Sequence, residues 1–339
     1  MYAVCLNDIN FCVFTTILAV NYSMTEWRPT VSICCITYNH EQYIAQAIES
    51  VLMQQTDFEI ELLIGEDCST DSTRALAQQY EKRYPKRVRV LTPSTNIGIM
   101  RNLIATMSAC TGEYIAIVDG DDYWTDITKL QRQVDALRAN PDCAFCFHDA
   151  ESFIDGDLGV AWTYSGRFAH ILPVIGSPPQ SYTQLDLARW GWFIPTASML
   201  CRTNSFSWPL PDWLVGVHSG DFTLQLLSTR YGPALYLPRI MSRYRLHPTS
   251  ITSTTTKTLY QFERHIHAGK MFQQHVFGPE HKKYADIYLA QQYRNYARFL
   301  GVQGKIWQQL CYLSKALFLD RQRIILYLER RPSLFNNKY

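Results

Sequence analysis

Apolar and polar positions along the chain switch repeatedly between two periods. Residues 31–36 (VSICCI) form a β-rich, largely apolar run, the pattern of a strand buried on both faces. Ile44, Ala47, Ile48, Val51 and Leu52 then recur at helical spacing, with Asn39 placed to cap that helix. Residues 60–64 predict a second strand. Ser69 and Asp71 stand where N-caps belong, ahead of a helix carrying Leu76 and Tyr80. Residues 88–91 read as a third strand, 101–110 as a helix and 114–118 (YIAIV) as a fourth strand. Ile127, Leu130, Val134 and Leu137 mark another helix, stopped by Asn140-Pro141, and 143–147 a fifth strand.

Strands separated by helices require crossover connections. The pattern therefore predicts an α/β fold with a mainly parallel sheet flanked by helices. Such sheets bind ligands beyond the carboxyl ends of their strands. Thr37, Tyr38 and Asn39 after the first strand, Glu66 and Asp67 after the second, and Asp119, Asp121 and Asp122 after the fourth should converge there. Residues 154–187 are loop-rich and suited to shaping an acceptor pocket. From residue 258 the chain reads as helical. The division expected is an extension over 1–29, an α/β domain over 30–257 and a C-terminal helical region over 258–339.

Composition narrows this picture. The 339 residues are 47% hydrophobic and 18% charged, enough for a substantial core and unlike a disordered chain. A net charge of +2 shows no concentrated basic face for nucleic acid. No apolar run reaches the roughly 20 residues that span a bilayer. Residues 11–20 (FCVFTTILAV) are apolar, but no Lys or Arg precedes Arg28, unlike a secretory signal. The reading is an upstream extension with Met24 as the start, with a weak anchor or atypical signal as alternatives. The 10 cysteines are scattered, several in strands, as suits reduced thiols in the cytosol. Cys143-x-x-Cys146 with His148 lacks the second pair a zinc site needs.

Chemistry concentrates in residues 118–124 (VDGDDYW), three carboxylates in four positions. Like charges this close need a positive partner. The chain has no GxxxxGK[ST] loop and no GxGxxG after its first strand. Carboxylates do not bind phosphate directly, but they hold Mg2+ or Mn2+, which bind phosphate oxygens in turn. The expected cofactor is Mn2+ or Mg2+, neutralising a diphosphate leaving group.

Five ordered blocks carry a resemblance: VSICCITYNHEQYIAQAIESVLMQQ, ELLIGEDCSTDST, NIGIMRNL, TGEYIAIVDGDDYW and HSGDFTLQLLSTRYGPALYLPRIMSRYRLHPTSIT. Over about residues 30–252 the chain resembles the family 2 glycosyltransferases. That resemblance implies the GT-A (Rossmann-like) fold, a nucleotide-diphosphate sugar donor, uridine by family preference, and one inverting displacement. It implies that Thr37, Tyr38 and Asn39 contact base and ribose, with Tyr38 stacking on the base. It implies that Glu66 and Asp67, with Asn96 and Asn102, complete the nucleotide-sugar site, Asp67 at the base edge. Asp121 and Asp122 would hold the metal and diphosphate, with Asp119 completing the D-x-D pattern of the nucleotide-sugar site. Asp121, Asp122 and His247 would hold the metal, although which of the three aspartates touches it directly is left open. Asp221, in Ser-Gly-Asp, matches the family's general base.

A hydroxyl is a poor nucleophile at neutral pH, and one positioned carboxylate can remove its proton as the new bond forms. Base and metal serve opposite faces of the sugar, so distinct carboxylates are required. Arg243 and Arg245 pair either with these carboxylates or phosphates, or in ordinary salt bridges. The Gln-x-x-Arg-Trp motif of processive synthases is not matched, because Arg189-Trp190 precedes Asp221. The expected enzyme therefore adds single sugars to a glycan or glycolipid acceptor of a polysaccharide or lipid-linked oligosaccharide. It is expected in the cytoplasm, with a membrane-surface or partner contact through the C-terminal helices left open. The alternatives are a nucleotidyltransferase of similar fold or an inactive sugar-binding protein.

Overall fold

β1 (Val31–Thr37) is flanked on both sides in a ten-stranded sheet. Its side chains are buried on both faces, and it pairs in parallel with β2 (Ile60–Glu66) and β4 (Tyr114–Asp119), Val31 lying opposite both Ile60 and Tyr114. β3 (Val88–Leu91) extends the parallel half beyond β2. The chain returns between these strands through α1 (Ile44–Leu52), α2 (Thr73–Arg83) and α3 (Ile99–Ser108). The computed structural model describes residues 29–157, 159–217, 219–250 and 259–320. The expected N-terminal start at Met24 lies outside them.

Beyond β4 the sheet is mixed. After the short β5 (Tyr123–Trp124) and α4 (Lys129–Ala139), β6 (Phe145–Ile154) continues well past the expected fifth strand. The loop-rich region holds β7 (Trp162–Thr163), α5 (Tyr164–Arg167), β8 (Gln180–Tyr182) and α6 (Gln184–Trp190). β9 (Leu200–Arg202) runs antiparallel between β4 and β6. β10 (Ala234–Leu246), reached through α7 (Gly220–Ser228), pairs in parallel with β6 and antiparallel with β5 and β8.

Each face of the sheet has its own core. Ile33, Ile64 and Val118 pack with Ile48 of α1 and Leu130 and Val134 of α4. On the other face Cys34, Ile117 and Phe147 pack with Leu103 and Met107 of α3 and Phe222 of α7. The C-terminal region forms α8 (Leu259–His275), α9 (Lys282–Val302) and α10 (Ile306–Leu319). Phe272 of α8 and Tyr288 of α9 enter the second core, Tyr288 stacking on Phe222 at 5.3 Å between ring centroids. These aromatics support α7, whose first turn carries Asp221. α10 packs on α9 through Tyr312, 4.5 Å from Tyr296, and leaves Trp307, Leu310 and Phe318 exposed. Among the described residues no helix is long and apolar enough to cross a membrane.

Lys129 of α4 is fully buried, its Nζ 3.8 Å from the centre of the Trp124 ring and donating to Gln133 Oε1 at 2.7 Å. Burial pulls this amine from 10.5 down to about 7. Between those values the unfolded chain holds a proton that the native state lacks, so native stability rises with pH across the window. Relative to Lys129→Met, the wild type should gain about 2–3 kcal/mol from pH 7 to pH 9.5 in urea denaturation. Parallel profiles for the two proteins would contradict a depressed Lys129.

Candidate active site

The carboxyl ends of β1, β2 and β4 open onto a cavity of about 330 Å³. Thr37, Tyr38, Asp67, Asn102, Asp119, Asp121 and Asp221 all line it. The expected convergence thus includes a residue from α7, roughly 100 positions downstream of the aspartate cluster.

The turn after β1 is built differently from the sequence reading. Asn39 does not cap α1, which starts at Ile44 behind Tyr43. Its backbone is left-handed (φ 56°), and its Oδ1 accepts from Thr70 N at 2.9 Å while its own N–H donates to Ser69 Oγ at 3.0 Å. Glu41 N donates to Asp71 Oδ2 at 3.1 Å. Asn39 is therefore an exposed tie between the β1 and β2 loops and is not a wall of the cavity. Ser69 likewise does not cap α2, which begins at Thr73 and whose first amide donates to Asp71 Oδ1 at 2.9 Å.

Glu66, expected in the nucleotide-sugar site, does not face the cavity. Its buried carboxylate accepts from Ser69 N at 2.6 Å and Arg74 Nε at 2.8 Å, an arrangement that shapes the loop. Asp67 does line the cavity, with Oδ1 accepting from Ile97 N at 2.8 Å and Oδ2 from Gly98 N at 2.9 Å. Asn96 is exposed and donates to the Asp67 carbonyl at 2.9 Å, holding the same loop from outside. Asn102 donates to the Gly65 carbonyl at 2.6 Å.

The aspartate cluster divides its carboxylates. Gly120 lets the loop lie against β1, because a Cβ there would collide with the side chains of Thr37 and His40. Asp119 faces the cavity, and burial, then the charges of Asp121 and Asp221, push its carboxyl well above the ordinary range. Burial would also raise Asp121, but a hydrogen bond from His247 and the charges of His40 and His247 outweigh it and hold that carboxyl low. Asp122, expected with Asp121 as a metal ligand, turns away. Its buried Oδ1 accepts from Arg245 N at 3.0 Å, and it does not line the cavity. Burial, then Asp121 and Asp119, raise its carboxyl well above the usual range.

The partners of the cluster are therefore visible. His247 Nε2 lies 3.0 Å from Asp121 Oδ2, and His40 Nε2 lies 3.8 Å from the same oxygen. Burial, then the neighbouring His247, lower His40 although Asp121 opposes them, so its ring is neutral at pH 7. Arg245 donates from Nε to the Asp121 carbonyl at 2.9 Å and from Nη1 to Asp155 Oδ1 at 2.6 Å, locking the loop from behind. Arg243 forms an ordinary pair with Glu151 at 2.8 Å. His40, Asp121 and His247 together could hold a metal ion, their ligand atoms all within 4.8 Å of one another.

Asp221 sits in the first turn of α7. Its Oδ2 accepts from Trp192 Nε1 at 2.6 Å and Thr196 Oγ1 at 3.1 Å, while neither bond uses Oδ1. One oxygen is thereby fixed by two donors. Sequence reasoning missed His40, Trp192 and Thr196. His40 carried a signal, since it directly follows the Thr37-Tyr38-Asn39 turn. Trp192 and Thr196 lie in a stretch without periodicity and carried none.

The family model described as Glycosyl transferase family 2 matches residues 32–206. An uncharacterized protein of Mycobacterium tuberculosis is 34% identical over 221 residues, covering 65% of this chain and 60% of that protein. This chain therefore spans less than two thirds of that relative. The Escherichia coli UDP-Glc:alpha-D-GlcNAc-diphosphoundecaprenol beta-1,3-glucosyltransferase WfgD is 29% identical over 233 residues, covering 68% and 82%. S. aureus TarS in complex with UDP-GlcNAc superposes with a TM-score of 0.58 at 17% identity, over 85% of this chain and 79% of that one. The mannosyltransferase PcManGT from Pyrobaculum calidifontis, in complex with GDP-Man and Mn2+, gives 0.52 at 13% identity, over 90% and 89%. The structural likenesses show the GT-A fold.

Proposed function

The chain belongs to glycosyl transferase family 2, and from that premise we propose that it moves one sugar from a nucleoside-diphosphate donor, with a uridine donor first in line, to an acceptor hydroxyl with inversion. The acceptor class we propose is a polysaccharide or lipid-linked oligosaccharide, by analogy with the undecaprenol-linked acceptor in the name of the Escherichia coli relative. One observation carries the reading: Asp119 and Asp121 from the end of β4 and Asp221 from α7 line the same cavity.

Tyr38 presents an exposed ring at the rim and is the stacking surface for the base. Thr37 and Asp67 border the same end. Asp119 and Asp121 face the diphosphate, and His247 holds Asp121 in place. The donor set of imidazoles and carboxylate fits a divalent cation, which would neutralise the departing diphosphate when bound. Asp221 Oδ1 accepts the acceptor's proton while Trp192 and Thr196 fix Oδ2, so the lone pair is aimed before substrate arrives.

A panel of nucleotide sugars incubated with the protein and Mn2+ tests the reading by product analysis. The expected result is release of nucleoside diphosphate from one donor, abolished by chelator. Release of sugar 1-phosphate, with transfer of the nucleotidyl group, would instead identify a nucleotidyltransferase. No turnover or binding of any donor would support a catalytically inactive chain.

A further inference from the structure

We propose that four aliphatic side chains, Ile36, Leu103, Ile117 and Leu224, form the floor on which the donor sugar rests, and that they select a sugar bearing a methyl group, carried either by an acetamido substituent or by a 6-deoxy carbon. This assignment rests on the transfer reading and names the donor class for the same cavity.

The two walls of the cavity set the sugar's place. Direct displacement needs the departing diphosphate on one face of the reacting carbon and the attacking hydroxyl, with its base, on the other. The sugar ring therefore spans the gap from Asp119 and Asp121 to Asp221, and whatever lies beneath that gap meets its substituents. Ile117 stands two residues before Asp119 on β4, so both side chains leave the same face of the strand. Ile36 of β1 lies directly opposite Asp119 in the sheet. Leu224 follows Asp221 by three positions on α7, which puts the two on one face of that helix. Leu103 of α3 closes the remaining side, and all four line the cavity. Gly220 allows this closure. A Cβ there would fall 2.6 Å from Met100 Sδ and 3.0 Å from Leu103 Cδ2, so the start of α7 lies directly against α3.

The floor presents carbon. Leu103, Ile117 and Leu224 are each at most 5% exposed, so they are held firmly by the core behind them. The polar side chains around them are engaged. Thr196 Oγ1 donates to Asp221 Oδ2, Thr37 Oγ1 lies 3.2 Å from His40 Nδ1, and Asn102 Nδ2 donates to the Gly65 carbonyl. A sugar hydroxyl pressed onto the aliphatic floor loses its water and gains no partner there. A methyl group in the same place buries apolar area instead. Both effects favour the methyl-bearing donor, and an apolar pocket discriminates on this scale by roughly 10- to 200-fold.

Calorimetric titration of matched donors into the full chain, with Mn2+ present, tests the floor. The pairs are UDP-N-acetylglucosamine with UDP-glucose, UDP-N-acetylgalactosamine with UDP-galactose, and 6-deoxyglucose with glucose on both uridine and thymidine diphosphate. In one kind of pair the methyl-bearing member should bind about tenfold or more tightly than its partner. Preference within the acetamido pairs assigns the methyl to that substituent, and preference within the deoxy pairs assigns it to the 6-deoxy carbon. Leu224→Gln should bring the preferred pair within about threefold, whereas Leu224→Met, which keeps the carbon surface, should retain the preference. Donors that bind without preference, tighter binding of the hydroxyl-bearing partners, or an undiminished preference in Leu224→Gln would overturn the floor and leave the transfer reading standing. If Leu224→Gln does not fold, the wild-type pairs decide alone. Binding of no donor at all would sink the transfer reading, and the floor with it.

Discussion

Asp221→Asn is expected to lower sugar transfer by about 10²–10⁴-fold, measured as nucleoside diphosphate released per enzyme at saturating donor and acceptor. The amide preserves shape and still accepts from Trp192 Nε1 and Thr196 Oγ1 through its oxygen, so the wall around residue 221 should survive. What disappears is the oxygen proposed as the base. The surrounding structure argues against a folding defect. α7 is held by Phe222, which stacks on Tyr288 and meets Phe272, and none of these contacts involves the carboxylate. Turnover within a few-fold of wild type would remove Asp221 from the role of base.

The second large effect is expected at Asp121. Asp121→Asn removes the charge shared by His40 and His247 and should cost transfer about 10²-fold or more, several kcal/mol of leaving-group stabilisation. The loop itself should hold, because Arg245 grips the Asp121 carbonyl rather than its side chain, and Gly120 keeps its close approach to Thr37 and His40. Removing this charge also relieves the repulsion that raises Asp119 and Asp122. It also loses the His247 and His40 attractions that hold Asp121 low, so the variant should remain folded at a cost of about 1–3 kcal/mol in chemical denaturation while losing activity. Loss of the fold together with activity would mark a structural rather than a functional carboxylate.

The parallel half of the fold was legible because its strands are buried on both faces and its helices keep a clean 3.6 period. β1, β2, β3 and β4 fall where the apolar runs lie. The mixed half was not. β9 is three residues long, and β10 hides its role in a run interrupted by Pro238 and by register shifts against β6. Helix caps misled for a related reason. Asn39 and Ser69 have the chemistry of caps, but here that chemistry ties two loops together across about 30 residues of sequence, whereas Asp71 does both, accepting from the first amide of α2 and from Glu41 N. Periodicity cannot distinguish a local partner from a distant one.

The site divides the same way. Strand ends announced Thr37, Tyr38, Asp67 and Asp119. Within the cluster, however, the direction of each carboxylate depends on the partner that reaches it. Asp122 accepts from the Arg245 amide, and Glu66 is held by Arg74, so both leave the cavity despite sitting beside residues that enter it. Trp192 became part of the site only because α7 brings Asp221 to it.

The central claim is that one cavity separates a leaving-group wall from a base wall. Calorimetric titration of the donor, with Mn2+ present, into the Asp221→Asn and Asp121→Asn proteins tests it most directly. Donor affinity within about twofold of wild type for Asp221→Asn, and weakened about tenfold or more for Asp121→Asn, is the predicted result. Equal weakening in both proteins, or the opposite order, would contradict it.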